Sequence, residues 1–382
     1  MVKRLFGIAV LGGLVLGAGL VIWGWNLWTG PGPRLESSRS EPATRFTHTT
    51  GSGDGSILVR IPPGMTLTAA ADTLVQRGLL RHRRVLLLGA RLTGQDRGLR
   101  AGLYELEPGL SPRELLADLT TGRSVQIRVT VPEGLDAESA AKILAEALDF
   151  DAPRFLSVAD SLARGAITAR GYLAGESALA VHDSLLREGS DCLPRAFHWS
   201  EGYLAPDTYL FAEGTTVTAA ADHLIATQLA RLDTAQTLAA GGPVDSLTGH
   251  GLLTLASIVE AEARLTDEQA LIAAVYVNRL KRNWRLEADP TVAFILRKKG
   301  KRLYFKDLKV ESPFNTYRNK GLPPGPIGNP GLSALLAAAR PDSACRAMYF
   351  VSDGQSGHVF TRTAREHEEA VRRYREARGR SN

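Results

Sequence analysis

Alternating and helical spacings of apolar residues predict a repeated unit in the first half of the chain. Ile57-Leu58-Val59-Arg60-Ile61 reads as a strand, Pro62-Pro63-Gly64 as a turn, and Thr66 or Thr68 as the cap of a helix running to about Gly78. Val129-Thr130-Val131-Pro132-Glu133-Gly134 followed by Ala137 to Leu148 repeats that order, and Tyr104 to Leu119, turning at Pro108-Gly109-Leu110-Ser111, supplies a related unit between them. Ala70 and Leu74 align with Ala140 and Leu144 at a constant offset, so both helices are expected to offer the same face to one small sheet. These units span residues 57–150. Residues 151–250 read as an Ala-heavy connecting helical region, broken by Glu201-Gly202-Tyr203-Leu204-Ala205-Pro206-Asp207-Thr208-Tyr209, which suits an ordered loop. From residue 251 to 378 two clear helices precede Ser312 to Pro330, a Pro/Gly/Asn-rich segment too apolar for a linker and of a length that usually serves function.

The N-terminus follows a different rule. Leu5 to Trp28 carries no ionisable side chain and is long enough for a helix to cross roughly 30 Å of hydrocarbon. Lys3 and Arg4 precede it, while Trp23, Trp25 and Trp28 gather at its far end like an interfacial belt. That order predicts residues 1–4 in the cytoplasm, a transmembrane helix over 5–28 and a body on the extracytoplasmic side. The alternative is a cleaved signal peptide, which would show a shorter apolar core and an A-x-A-like site. Residues 29–56, rich in Gly, Pro, Ser and Thr without a period, read as a flexible stalk.

Composition narrows the classes further. The 382 residues are 44% hydrophobic and 23% charged, which excludes disorder for most of the chain. A net charge of +6 without interleaved aromatics gives no case for nucleic acid, and the run Arg297-Lys298-Lys299-Gly300-Lys301-Arg302 reads as a solvated loop that anionic lipid or peptide carboxylates could touch. Two cysteines, Cys192 and Cys345, make no disulfide scaffold, although one bridge between them stays open. His358 and His367 lack metal-ligand spacing, so no metal is expected.

The chemistry concentrates in Leu252 to Leu265. At 100° per residue, Leu252, Leu255, Ile258, Val259 and Leu265 fall within an arc of about 140°, with Glu262 in its middle. Glu260 is rotated from Glu262 by about 200° and points with Ser257 to the more polar side, so the two carboxylates cannot converge on one small site. A carboxyl on an apolar face loses solvation, holds its proton toward neutral pH and suits general acid catalysis. The competing reading is a buried Glu262 paired with Arg264 or Arg279, and this helix alone does not decide. The next helix is expected to open on a capping box at Thr266-Asp267-Glu268-Gln269 and carries Asn278.

Beyond these helices come Leu286-Glu287-Ala288-Asp289-Pro290-Thr291, Phe314-Asn315-Thr316-Tyr317, Gly321-Leu322-Pro323-Pro324-Gly325-Pro326-Ile327-Gly328-Asn329-Pro330-Gly331, and Tyr349-Phe350-Val351 with Gly357-His358-Val359-Phe360. Together with the anchor, the repeated units and the Glu201 run, this order resembles the endolytic murein transglycosylases of the MltG (YceG-like) group. These are single-pass bacterial enzymes of the cell inner membrane that cut nascent peptidoglycan strands. The resemblance implies an α+β protein with LysM-like units before a mostly α catalytic domain, and Glu262, the second Glu of an I-V-E-x-E-T run, as the acid. Ala263 stands where that group has Thr, and Phe314 where it has Tyr, which puts a hydroxyl beside the acid and one phenol in doubt.

The implied reaction needs no cofactor. One Glu protonates the leaving oxygen between MurNAc and GlcNAc, and the sugar's own 6-hydroxyl then attacks, leaving a 1,6-anhydro-MurNAc end and terminating strand elongation. Asn278, Asp289, Asn315 and Tyr317 are candidate saccharide contacts, because amides and phenols bond hydroxyls and aromatic faces stack on sugars. For each of them a purely structural role remains open, and Glu260 is the secondary candidate. Glycan strands, the membrane and peptidoglycan synthases of the penicillin-binding type are the implied partners. Two other readings stay open: a hydrolytic muramidase using Asp289 as base, and a non-catalytic wall-binding divisome scaffold.

Overall fold

The structure is a computed structural model that describes residues 21–33, 56–62, 64–121, 125–173 and 197–379. Most of the expected membrane span, most of the stalk and Cys192 therefore lie outside the described residues. Residues 21–29 are helical, and no helix among the described residues is long and apolar enough to cross a membrane. Trp28 lies near the end of this helix. Its ring packs on Gly89, where an added Cβ would come within 2.1 Å of it, and it flanks the first core.

Contacts divide the chain into Met1–Ile127 with Leu210–Thr215, and Arg128–Tyr209 with Thr216–Asn382. In the first unit β1 (Ile57–Ile61) and β2 (Gly102–Leu106) form an antiparallel ladder with Ile57 opposite Leu106 and Val59 opposite Tyr104. Helices α1 (Leu67–Gln76), α2 (Arg83–Leu92) and α3 (Pro112–Thr121) accompany them. Thr66 caps α1 by accepting from the Ala69 amide at 3.2 Å, and Ser111 and Glu114 close a reciprocal capping box at α3. Val59, Ile61, Ala70, Leu74, Leu86, Tyr104 and Leu115 are all at most 2% exposed, so alternate strand positions and one face of each helix meet in a single core.

β3 (Gln126–Val131) pairs with β4 (Asp207–Ala212). The second unit continues with α4 (Ala137–Leu148), α5 (Ala152–Ala169), α6 (Val217–Ala239), α7 (Gly249–Glu262), α8 (Gln269–Lys281), α9 (Asp289–Ile295) and α10 (Leu332–Ala339). An antiparallel hairpin, β5 (Tyr349–Ser352) and β6 (His358–Thr361), and α11 (Ala364–Gly379) complete it.

Three expectations change. The repeated units do not share one sheet: Ala140 and Leu144 are as buried as Ala70 and Leu74, yet β3 takes its partner from the Glu201 run, which ends as a strand. The division falls after Ile127, so the third turn and helix sit with the second unit. The expected capping box at Thr266 is a short 3-10 turn: the Gln269 side-chain oxygen, which would have closed the box, accepts from the Ser333 hydroxyl at 2.6 Å, and the neighbouring Glu268 carboxylate accepts from the backbone N–H of His358 at 2.8 Å and lies 2.7 Å from its ring Nδ1.

Residues 323–331 are largely buried, and their role is internal. Asn329 accepts from the Leu204 amide at 2.9 Å and donates to the Leu135 carbonyl at 2.9 Å, joining the β3–α4 turn to the run before β4. Pro324 gives its carbonyl to His250 Nε2 at 3.0 Å. His250 must then donate from Nε2 and accept from Tyr203 at Nδ1, so it is a neutral histidine, and burial depresses its pKa to about 4.

Candidate active site

Helix α7 is not amphipathic in place. Every residue from Leu252 to Val259 is buried, including Thr254 and Ser257. Each polar side chain is satisfied: Thr254 donates to the His250 carbonyl at 2.7 Å, and Ser257 accepts from the Ile327 amide at 3.0 Å. The expected polar side of this helix is therefore covered by the 323–331 segment. Glu260 belongs to that packing, accepting from the Gly331 amide at 3.1 Å. Burial raises its pKa, with the Gly331 hydrogen bond opposing.

Full burial of α7 ends at Val259, and Glu262, half-buried, is its last residue. Its carboxyl opens onto a cavity of about 1500 Å³ that Glu260 does not line. Tyr276, from the facing side of α8, donates to Glu262 Oε1 at 2.8 Å, and the Tyr276 ring is wedged edge-on against Phe350 of β5 at 5.8 Å. Loss of hydration pushes the Glu262 pKa up to about 7, aided by the charge of Asp289 and opposed by the Tyr276 hydrogen bond and Arg279. No salt bridge joins Glu262 to Arg264 or Arg279 among the described residues. Arg279 instead donates to the Met348 and Leu286 carbonyls. The result is a carboxyl that keeps its proton near neutral pH, with a phenol ready to support the anion once the proton has left.

Asp289, the first residue of α9, lines the same cavity and accepts from Tyr317 Oη at 2.7 Å. The loop that brings Tyr317 there is tied down residue by residue. Phe314 is fully buried between Phe197 and Phe294, with ring centres 5.2 and 5.5 Å away, so its environment is apolar where a phenol was expected. Thr316 accepts from the Ala288 amide at 3.0 Å, fastening the loop to the start of α9. Asn315 is wholly buried; its amide donates to the Leu308 and Val310 carbonyls, and its oxygen accepts from the Tyr317 backbone N–H at 2.9 Å.

Of the six site residues read from the sequence, Glu262, Asp289 and Tyr317 meet at this cavity. Asn278, Asn315 and Glu260 do not. Asn278 donates to the Cys345 and Ala347 carbonyls at 3.2 and 3.0 Å, holding the strand that leads into β5, so its amide is committed to backbone and not to sugar. Asn315 positions Tyr317 from behind. Glu201, which had no role assigned, also reaches the cavity wall: it is 2% exposed, accepts from the Ala137 amide at the start of α4, and burial holds its pKa well above the usual carboxylate range. Its only sequence signal was a Glu opening an apolar, aromatic run. The basic segment is cavity wall too. Arg297 pairs with Glu138 at 2.8 Å and Lys299 donates to the Gly134 carbonyl, while Lys301 and Arg264 line the cavity without an ion pair among the described residues.

Residues 59–373 match the model of the YceG-like family. The chain belongs to this family. An endolytic murein transglycosylase of Bacillus subtilis strain 168 is 29% identical over 336 residues, covering 87% of each chain. One from Streptococcus pneumoniae serotype 2 is 29% identical over 315 residues, 80% of this chain and 55% of the longer relative. Among solved structures, a putative YceG-like protein from Listeria monocytogenes matches at a TM-score of 0.54 with 26% identity, over 82% of this chain and 98% of that one. The YceG-like match includes every cavity residue named above.

Proposed function

We propose that this YceG-like protein is a membrane-anchored lytic transglycosylase that cuts peptidoglycan strands internally. The observation that carries the reading is Glu262: a carboxyl at the end of a buried helix, facing a cavity large enough for several sugar rings, with its pKa near 7 and a phenol on it. In the first step Glu262 gives its proton to the glycosidic oxygen as the bond to the MurNAc anomeric carbon breaks. Tyr276 then stabilises the carboxylate that remains. In the second step this carboxylate takes the proton of the MurNAc 6-hydroxyl, whose oxygen closes on the anomeric carbon, so Glu262 is restored and no water is consumed. Tyr317 and Asp289 offer a phenol and a carboxylate to the bound strand from the same cavity.

The names carried by the Bacillus and Streptococcus relatives support the same reaction. In this reading Leu5 to Trp28 holds the protein in the bacterial inner membrane with its body outside the cytoplasm, residues 57–121 act as a LysM-like glycan-binding module, and the enzyme works beside peptidoglycan synthases. Asp289 favours a second reading, because it shares the cavity with Glu262 and could activate water as in a hydrolytic muramidase. Glu262→Gln tests both against a scaffold. It should lower strand cleavage by about 10²- to 10⁴-fold with the fold retained, whereas undiminished cleavage would remove Glu262 from the chemistry.

A further inference from the structure

Beside the catalytic cavity lies a second recess of about 430 Å³, which shares Arg279, Glu287 and Tyr349 with it and adds Asn283, Trp284 and Lys320. Its floor is built by the end of α8. The Asn283 amide donates to the Leu280 carbonyl at 3.0 Å, the Trp284 amide to the Arg279 carbonyl at 2.9 Å, and Asn283 takes the left-handed conformation at φ 54°, which together make a Schellman stop. In such a stop the residue after the left-handed one usually packs back on the helix. Here that place on the helix is Arg279, whose guanidinium serves backbone carbonyls and lies over the Tyr349 ring at 5.4 Å. Trp284 therefore turns outward, 42% exposed, meeting Tyr349 edge-on at 6.2 Å. Tyr349 is fixed in turn by a stacked His367 at 5.1 Å. The result is an exposed indole on a rigid turn, beside the Asn283 amide, the Glu287 carboxylate that pairs with Arg279 at 3.8 Å, and Lys320, which has no ion pair among the described residues, in a recess that shares residues with the cleft of the acid.

We propose that this recess is a distal glycan subsite in which Trp284 stacks on the apolar face of an N-acetylated amino sugar beyond the reach of a tetrasaccharide centred on the bond that is cut. The inference rests on the function proposed above. An indole face and a pyranose C–H face exclude water from each other, Asn283 and Glu287 supply a donor and an acceptor for ring hydroxyls, and Lys320 supplies positive charge for a carboxylate-bearing substituent. The recess shares Arg279, Glu287 and Tyr349 with the cavity of the acid but neither Glu262 nor Tyr276, so an oligosaccharide too short to extend past Glu262 leaves it empty and a long strand fills both. The test is calorimetric titration of the full chain carrying Glu262→Gln with uncrosslinked glycan tetrasaccharides and octasaccharides, with and without Trp284→Ala and Trp284→Phe. The Ala variant should weaken octasaccharide binding on the order of tenfold, about 1.4 kcal/mol, leave tetrasaccharide binding unchanged, and be largely rescued by Phe. Unchanged octasaccharide binding, or an equal loss at both lengths, would overturn the subsite while leaving the proposed function standing. Failure of the Glu262→Gln parent to bind either oligosaccharide would overturn the function and the subsite with it.

Discussion

Replacing Glu262 by Gln should stabilise the fold at alkaline pH as it removes activity. The unfolded chain ionises this carboxyl near its ordinary 4.5, the folded chain only at about 7. The folded state thus binds a proton that the unfolded state has lost, and this contribution to stability is fully present below about 4.5 and lost as pH rises through about 7. At about 1.4 kcal/mol per pH unit, the loss comes to about 3 kcal/mol at pH 8 and about 1 kcal/mol at pH 5. Gln keeps an acceptor for Tyr276 and has no charge to bury, so its advantage over Glu should grow by about 2 kcal/mol across that range. His250, with its pKa depressed to about 4, contributes with the opposite sign, losing stability as pH falls below about 6.5. It is common to both proteins and drops out of their difference. Urea unfolding of the full chain and the variant, followed by near-ultraviolet circular dichroism from pH 5 to 8, measures that difference directly. A difference that is flat with pH, or that grows toward acid, would refute the reasoning.

Other perturbations read other parts of the site. Tyr276→Phe removes the hydrogen bond that favours the Glu262 carboxylate, so the alkaline limb of kcat/KM should move above its expected position near pH 7 while kcat falls on the order of tenfold; a limb that moves down would contradict the assignment. Asn315→Ala leaves the Leu308 and Val310 carbonyls and the Tyr317 amide without their partner, which should cost about 1–3 kcal/mol of stability in denaturant melts and lower activity by displacing Tyr317. Gly202→Ala would set a Cβ 2.5 Å from Pro326 at a φ of +85°, so a melting midpoint lowered by several degrees is expected, and an unchanged one would refute the packing described.

What the residues revealed unaided follows from the range of the forces involved. Strands at Ile57–Ile61 and helices at Ala137–Leu148 were legible because alternation, capping residues and turn glycines act within a few positions. Glu262 was singled out by a helical wheel whose premise fails: α7 is buried on all sides, and the acid faces a cavity because the helix stops there. The partner of β3, more than seventy residues away, and the covering of Glu260 and Ser257 by residues 323–331 are long-range contacts that carry no local period. Amide side chains were the least legible. Asn278 and Asn315 have the chemistry of sugar contacts, and only the positions of the carbonyls at Cys345, Ala347, Leu308 and Val310 decide that they hold the backbone. Glu201 was missed for the same reason, since its partner is the amide of Ala137.

The central claim is that Glu262 alone serves as acid and then base, with the sugar's own hydroxyl as nucleophile. It is tested most directly by digesting uncrosslinked glycan strands in ¹⁸O-water and resolving the new ends by mass spectrometry. The account predicts unlabelled 1,6-anhydro-MurNAc ends at internal positions, about 18 mass units lighter than a hydrolytic end. Reducing ends carrying the heavy oxygen would contradict it and transfer the base role to Asp289.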